Sequence, residues 1–333
     1  MLQKKKCIIL SGPTATGKTA FGVRLADRIH GEIISVDSRQ VYRGLDLGSG
    51  KDLEEYTLPD GKNVPYHLID VADPAVQDYS LADFLQDSNI AVQQILRRNA
   101  VPLFVGGTAL YLHAMLAEYE LHGGEPDSEE RARLNSLSLP QLHQELKALA
   151  PDAAVLTAEA GNRYRLIRKI EMEHAKINPG KSSKEQTPLN DRSYLFLGLY
   201  RPRAEVHHKI AQRLDRRFRD NMLQEAAYLH DECGVSWEKL ESFGLEYRQM
   251  ALYLQNKITY DEMQETLLCK IRQFAKRQDS WFRKMERDGF PIYWVTPDEL
   301  DKAEELCQLF LQDQELPPPS FKLSETFYGP VTQ

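Results

Sequence analysis

The sequence predicts an α/β fold, a parallel β-sheet flanked by helices and interrupted by a helical insertion. Three observations predict it. Short β-type runs alternate with amphipathic helical stretches through the first hundred or so residues. A glycine-bounded phosphate-loop motif stands between the first run and the first helical stretch. A block of charged, helix-patterned sequence with Gly, Pro and Ser breaks then separates these runs from one further β-type run.

The elements follow in order. Ile8-Ile9-Leu10 is a short apolar run, and residues 12–19 read Gly-Pro-Thr-Ala-Thr-Gly-Lys-Thr, a complete G-x-x-x-x-G-K-[ST] loop. A helix over about 18–29 comes next, so the strand–loop–helix setting makes the sheet P-loop NTPase-like. Gly12 and Gly17 let backbone N–H groups turn onto an anion at a helix N-terminus, with Lys18 on a phosphate oxygen and the Thr19 hydroxyl on Mg²⁺. The runs Glu32-Ile33-Ile34-Ser35-Val36, His67-Leu68-Ile69-Asp70-Val71 and Val101-Pro102-Leu103-Phe104-Val105 supply three more strands, with a helix over 80–98. Residues 121–190 read as the helical insertion, and Tyr194-Leu195-Phe196-Leu197-Gly198-Leu199-Tyr200 as the strand that returns to the sheet. Long helices are expected over 204–233 and 259–288, and residues 313–333, with Pro317-Pro318-Pro319, as an extended tail. The catalytic core therefore comprises 1–120 and 191–312.

Composition limits the class. A chain of 333 residues is long enough for a large core, and its net charge of −7 argues against a general nucleic-acid coat without excluding local basic surfaces. Four cysteines without a C-x-x-C pair fit reduced thiols rather than a zinc site or disulfide framework. The apolar run after Lys4-Lys5-Lys6 is too short for a signal-peptide core, and no long apolar run follows, so a cytoplasmic protein with no membrane partner is expected.

Ligands of parallel sheets bind beyond the carboxyl ends of the strands, and three polar motifs are expected there. They are the loop 12–19, Asp37-Ser38-Arg39-Gln40, and Gly106-Gly107-Thr108. Asp37 is placed to accept a proton or bind Mg²⁺; as a helix cap or turn residue it would do neither. Ser38, Arg39 and Gln40 offer groups suited to a base edge. Gly106-Gly107-Thr108 is either a second cradle or an ordinary turn. Segments 201–219 and 270–287 each carry seven cations against two acids. With Arg163, Arg165, Arg168 and Lys169 they read as a polyanion track, within which Phe274, Trp281 and Phe282 either stack on bases or anchor the helix. The histidines show no metal spacing, and no Ser/His/Asp or Cys/His nucleophile arrangement is present.

Four separated blocks, taken in order, resemble the bacterial tRNA dimethylallyltransferases over roughly residues 6–290. They are residues 12–19, Asp37-Ser38-Arg39-Gln40-Val41-Tyr42-Arg43-Gly44, Val105-Gly106-Gly107-Thr108-Ala109-Leu110-Tyr111, and residues 272–283 from Arg272 to Arg283. The resemblance implies transfer of a dimethylallyl group from dimethylallyl diphosphate to the exocyclic amino nitrogen of adenosine 37 in tRNA. It implies that Gly12, Thr14, Ala15, Thr16, Gly17, Lys18 and Thr19 hold the diphosphate with Mg²⁺, and that Asp37 and Thr108 are catalytic. Ser38, Arg39, Gln40, Arg131, Tyr164, Arg165, Arg168, Arg272, Lys276, Arg277 and Arg283 are then expected on the anticodon stem-loop, and the enzyme is expected to be a monomer.

The chain departs from the family pattern in several places. Gly48-Ser49-Gly50-Lys51-Asp52 stands where Gly-Thr-Ala-Lys-Pro is usual, Gly244-Leu245-Glu246-Tyr247 where Gly-Tyr-Lys-Glu is usual, and Arg217 and Asn221 near a usual methionine and glycine. Ala109 also replaces a glycine, and the stretch to Tyr66 is longer, with Asp60-Gly61-Lys62 as an extra turn. The rival readings are an adenylate prenyltransferase, a P-loop small-molecule kinase, and a tRNA-binding protein without catalysis.

Overall fold

A computed structural model of the chain describes residues 5–116, 128–151, 163–177 and 192–326. Two compact units result, one made of Met1–Ala117 with Thr187–Gln333, the other of Glu118–Gln186.

The larger unit is a six-stranded, all-parallel sheet. Its strands are β1 (Lys5–Ser11), β2 (Gly31–Val36), β3 (Tyr66–His67), β4 (Val101–Gly106), β5 (Arg192–Leu199) and β6 (Tyr293–Val295), in the order β3-β2-β4-β1-β5-β6. The interior strands are near-continuous apolar runs because both faces are covered: β2 is buried along its whole length and β1 from Cys7 onward. Helices α1 (Lys18–Arg28) and α12 (Leu300–Leu311) supply Phe21, Leu25, Ala303 and Leu306 to one core with Ile8, Leu103 and Leu197. Helix α2 (Leu81–Arg97) starts at a capping box, in which Ser80 Oγ accepts from Asp83 N–H and the Asp83 carboxylate accepts from Ser80 N–H. A short α3 (Ala109–Leu116) follows β4.

Helix α4 (Ser128–Ser136), α5 (Leu139–Leu149) and α6 (Arg163–Ile177) form the smaller unit around Leu134, Leu142, Leu146, Leu166, Ile167 and Ile170. The larger unit also contains α7 (Arg203–Arg219), α8 (Met222–Asp231), α9 (Trp237–Ser242), α10 (Leu245–Leu254) and α11 (Tyr260–Arg287). These five build a second core from Ile210, Met222, Phe243, Tyr247, Met263, Leu267 and Ile271 with Val41, Tyr42 and Leu45.

Three expectations are corrected. The strand expected over 67–71 stops at His67, because Leu68 and Asp70 take left-handed φ of 62° and 57°. This turn brings the Asp70 carboxylate onto Lys51 Nζ at 2.6 Å, where Tyr42 O and Asp46 Oδ1 also surround the fully buried ammonium. The helix expected over 204–233 breaks at Asn221, whose φ of 71° is one that asparagine tolerates, so α8 aims Met222, Ala226 and Leu229 into the core. The tail is not extended throughout. A 3₁₀ turn at Leu323–Glu325 buries Leu323 completely, and the Glu286 carboxylate accepts from Leu323 N–H (2.9 Å), Ser324 N–H (2.6 Å) and Trp294 Nε1 (2.6 Å). Strand β6 and helix α12 were not expected from the sequence.

The thiols are free, and burial pushes Cys7 and Cys307 up to about 12. No described helix is long and apolar enough to cross a membrane.

Candidate active site

The three polar motifs meet at the carboxyl edge of β1, β2 and β4. Ser11 Oγ, at the end of β1, donates to Gly106 O at 2.6 Å, and Thr108 N–H donates to Val36 O at 3.2 Å. The phosphate loop thus ends a strand in the middle of the sheet, where ligands of parallel sheets bind.

Gly12 is required by close approach, since a Cβ there would stand 2.4 Å from Leu199 O. Gly17 has φ 90° at the start of α1 and leaves the first turn's N–H groups facing the loop. Ala15 also takes a left-handed φ of 62°, a conformation that an L-residue keeps only when its surroundings impose it. Those surroundings are side chains from distant elements. Thr14 N–H donates to Gln278 Oε1 (2.8 Å), Arg213 Nη2 donates to Thr14 Oγ1 (2.8 Å), and Arg201 Nε donates to Thr16 O (3.0 Å). Thr16 is fully buried, with its hydroxyl on Pro13 O, and Lys18 Nζ donates to the same carbonyl at 2.8 Å. Gln278 Nε2 continues to Gly107 O at 3.0 Å, so one amide joins the two loops.

Asp37 follows β2, and its Oδ1 accepts from Arg39 N–H (2.8 Å) and Gln40 N–H (3.4 Å). Desolvation raises its carboxyl above the ordinary 3.8, opposed by those N–H groups, Arg39 and Lys18. Thr108 Oγ1 accepts from Ser38 N–H at 3.1 Å. Desolvation and then the Arg213 charge lower Lys18 to about 7, against the pull of Asp37. Arg213 falls to about 10 through desolvation and its neighbour Arg217, and stays charged at neutral pH. The site therefore couples an anion grip to an enclosed carboxyl whose proton affinity is shifted toward neutrality, which is the combination that general-base chemistry beside a leaving phosphate needs.

The remaining expected residues divide. The Gln40 amide is held inside the protein, accepting from Ser35 Oγ (2.8 Å) and donating to Gly50 O (3.0 Å). On α11, Arg272 and Lys276 line a groove of about 450 Å³ with Arg203, His207, Glu265 and Gln273, while Arg277 lies over the exposed Phe274 ring. Phe282 is buried and anchors the helix. Arg283 faces Asp279 and donates to Thr326 O at 2.9 Å. In the smaller unit, Arg131 makes a bidentate pair with Glu171, which also takes Arg168 Nη1. Arg165 is exposed, and the Tyr164 side chain lies outside the described residues.

Arg201, Arg213 and Gln278 were not singled out for the loop. Gln278 left a signal, because it interrupts the apolar stripe Met263, Leu267, Ile271, Ala275, Phe282 of α11, where a buried amide needs a partner. The two arginines were hidden among the other cations of their segment.

The family model described as IPP transferase matches residues 40–285, and one described as Isopentenyl transferase matches residues 5–58. Among curated relatives, tRNA dimethylallyltransferase 1 of Syntrophus aciditrophicus is 40% identical over 90% of this chain and 97% of its own. tRNA dimethylallyltransferase 2 of Treponema denticola is 43% identical over 88% and 96%. The solved full-length tRNA isopentenylpyrophosphate transferase of Bacillus halodurans is 31% identical, covers 93% of this chain and 98% of its own, and superposes with a TM-score of 0.64. A complete phosphate loop closed by Arg213 and Gln278, the carboxyl of Asp37 beside it, and matches across nearly the whole length agree that this chain belongs to the IPP transferase family of prenyl-transferring enzymes.

Proposed function

We propose that the protein transfers the dimethylallyl group of dimethylallyl diphosphate to the exocyclic amino nitrogen of adenosine 37 in tRNA, releasing diphosphate. The observation that carries this reading is the enclosed Asp37 carboxyl beside a phosphate loop, with Thr108 tied to the same turn. The allylic C–O bond breaks, its electron pair leaves with diphosphate, and the amine nitrogen forms the new C–N bond. Asp37 hydrogen-bonds the amine and takes the proton it loses. Lys18, Arg213 and the loop N–H groups face the charge that grows on the leaving group, which is where stabilisation lowers the barrier.

The donor set suits Mg²⁺. The Thr19 hydroxyl lies in the first turn of α1, directly after Lys18, and a hard cation held by few protein oxygens and by phosphates is the usual magnesium arrangement. When bound, Mg²⁺ neutralises part of the diphosphate charge.

Adenosine 37 lies in a stacked loop and must turn outward to reach the donor. Ser38 and Arg39, beside Asp37, are the groups that would meet the incoming base, and Gln40 holds their turn in shape. Arg272, Lys276 and Arg277 present charge to the stem, and Arg131, Tyr164, Arg165 and Arg168 of the insertion contribute on their own unit. The enzyme acts as a monomer in the cytoplasm, where tRNA and donor meet.

Labelled dimethylallyl diphosphate offered with unmodified tRNA, an anticodon stem-loop and AMP tests this. Label is expected in tRNA and stem-loop, and only when a divalent cation is present. Label in AMP alone would overturn the reading in favour of a free-nucleotide prenyltransferase, and ATP-dependent phosphorylation without prenyl transfer in favour of a kinase.

A further inference from the structure

The charged cluster beside the phosphate loop extends past Arg213 to groups that take no part in the transfer itself. Arg213 and Arg217 are one turn apart and share a face of α7. Arg213 reaches the loop at Thr14. Arg217 is only 4% exposed, and its Nη2 donates to Asp52 Oδ2 at 3.2 Å while its buried Nε has no partner. The turn that carries Asp52 is shaped around this guanidinium. Gly50 has φ 72°, and a Cβ there would lie 2.4 Å from Arg217 Nη2. The same turn is fastened by Glu225, which accepts from the N–H groups of Asp46, Leu47 and Gly48 and from the Tyr247 hydroxyl. The Tyr247 ring packs on the same turn against Gly48, and the residue before it, the half-buried Glu246 in the first turn of α10, feels the charges of both Arg213 and Arg217.

Two guanidinium groups on one helix face, Arg217 buried and Arg213 half-buried, repel each other, and each is drawn to any nearby carboxylate. Asp52 holds Arg217 from one side. Arg213, given a choice between Glu246 and the loop, stands on Thr14. The three segments involved, 48–52, 213–221 and 244–247, are among those in which the chain departs from the family pattern, and these three meet at one place, with Gly50 against Arg217 and Gly48 against Tyr247.

We propose that Arg217 and Glu246 are opposed positioning residues for Arg213: Arg217, anchored by Asp52, presses the Arg213 guanidinium toward the phosphate loop, and Glu246 draws it back. The inference rests on the diphosphate reading of that loop. The balance between them sets how firmly the loop grips diphosphate, and therefore how readily this product leaves.

The test uses the full chain, with inorganic diphosphate titrated by calorimetry in the presence of Mg²⁺ and with steady-state kinetics on dimethylallyl diphosphate and an anticodon stem-loop. R217M is expected to weaken diphosphate binding and raise the donor KM about tenfold, with stem-loop KM within about twofold. R217K keeps the charge and is expected to stay within about threefold of the parent. E246Q is expected to tighten diphosphate several-fold, and R217M/E246Q to lie closer to the parent than R217M. A merely structural role would lower the melting temperature of R217M and leave its binding constants alone, which would overturn the proposal. So would R217K as weak as R217M. Should R217M not fold, E246Q decides, since unchanged diphosphate affinity in that variant overturns it. A parent chain that binds no diphosphate overturns the functional reading and this inference together, whereas parent binding unmoved by these changes overturns this inference alone.

Discussion

The phosphate-loop side and the basic outer face of α11, proposed for donor and nucleic acid, use the same residue types in opposite ways. Around the phosphate loop each cation has a place, with Arg213 on Thr14, Arg201 on Thr16 O and Lys18 on Pro13 O. On the outer face of α11, Lys276 and Arg277 are exposed and Arg272 is half-buried, and they border a groove or lie over a ring. A leaving group that develops charge within a fraction of an ångström needs donors already in position. A polyanion needs only charge at roughly the right spacing, because counterion release supplies much of its binding. Mutations should therefore act sharply and locally on the first side, and weakly, cumulatively and salt-dependently on the second.

The largest effect is expected from Asp37. D37A should lower kcat by roughly 10²–10⁴, with tRNA affinity measured by filter binding unchanged within a few-fold. Because burial raises this carboxyl above 3.8, it is protonated, and lost as a base, at a higher pH than an ordinary aspartate. The acid limb of kcat/KM should accordingly lie higher than an ordinary aspartate would place it in the parent and be absent from the residual activity of D37A. An unchanged rate would remove Asp37 from the reaction. K18A comes next, with a loss on the order of 10²–10³ in kcat/KM for the donor and none in stem-loop binding. Q278A should cost about tenfold or more, since it unties the two loops and misplacement alone is this expensive; equal kinetics in Q278A would mean that the loops hold their geometry unaided. The triple change R272A/K276A/R277A should raise tRNA KM roughly tenfold at low salt and flatten the dependence of log K on log salt by about one for each phosphate left without its cation. An unaltered slope would break the comparison. The smallest effect on activity belongs to E286A, which frees the 321–326 segment and should lower stability by about 2–3 kcal/mol in denaturant titrations while leaving kcat close to the parent.

Legibility followed the range of the interactions. The loop 12–19, Asp37 and Thr108 were readable because each sits within a few residues of a strand end, and a parallel sheet brings such ends to one edge. The strand expected through 67–71 failed because Lys51, sixteen and more residues earlier, gathers Asp46 and Asp70 around itself and turns the chain. Asn221 broke a continuous helical pattern because the second core needed Met222 and Leu229 at a new angle. The tail looked exposed from its prolines, but Leu323 and the acceptor Glu286 pull it in.

By itself the sequence determined the phosphate grip and the residues at the strand ends, since strand, loop and helix there follow from contacts between near neighbours. It also determined that α7 is rich in cations. Which of them enter the site was decided by tertiary structure. Arg216 and Arg219 are 58% and 72% exposed while Arg217, between them, is 4% exposed. A helix of 3.6 residues per turn offers every face, and only packing against α8, α11 and the 48–52 turn selects the one whose guanidinium groups lie beside the phosphate loop.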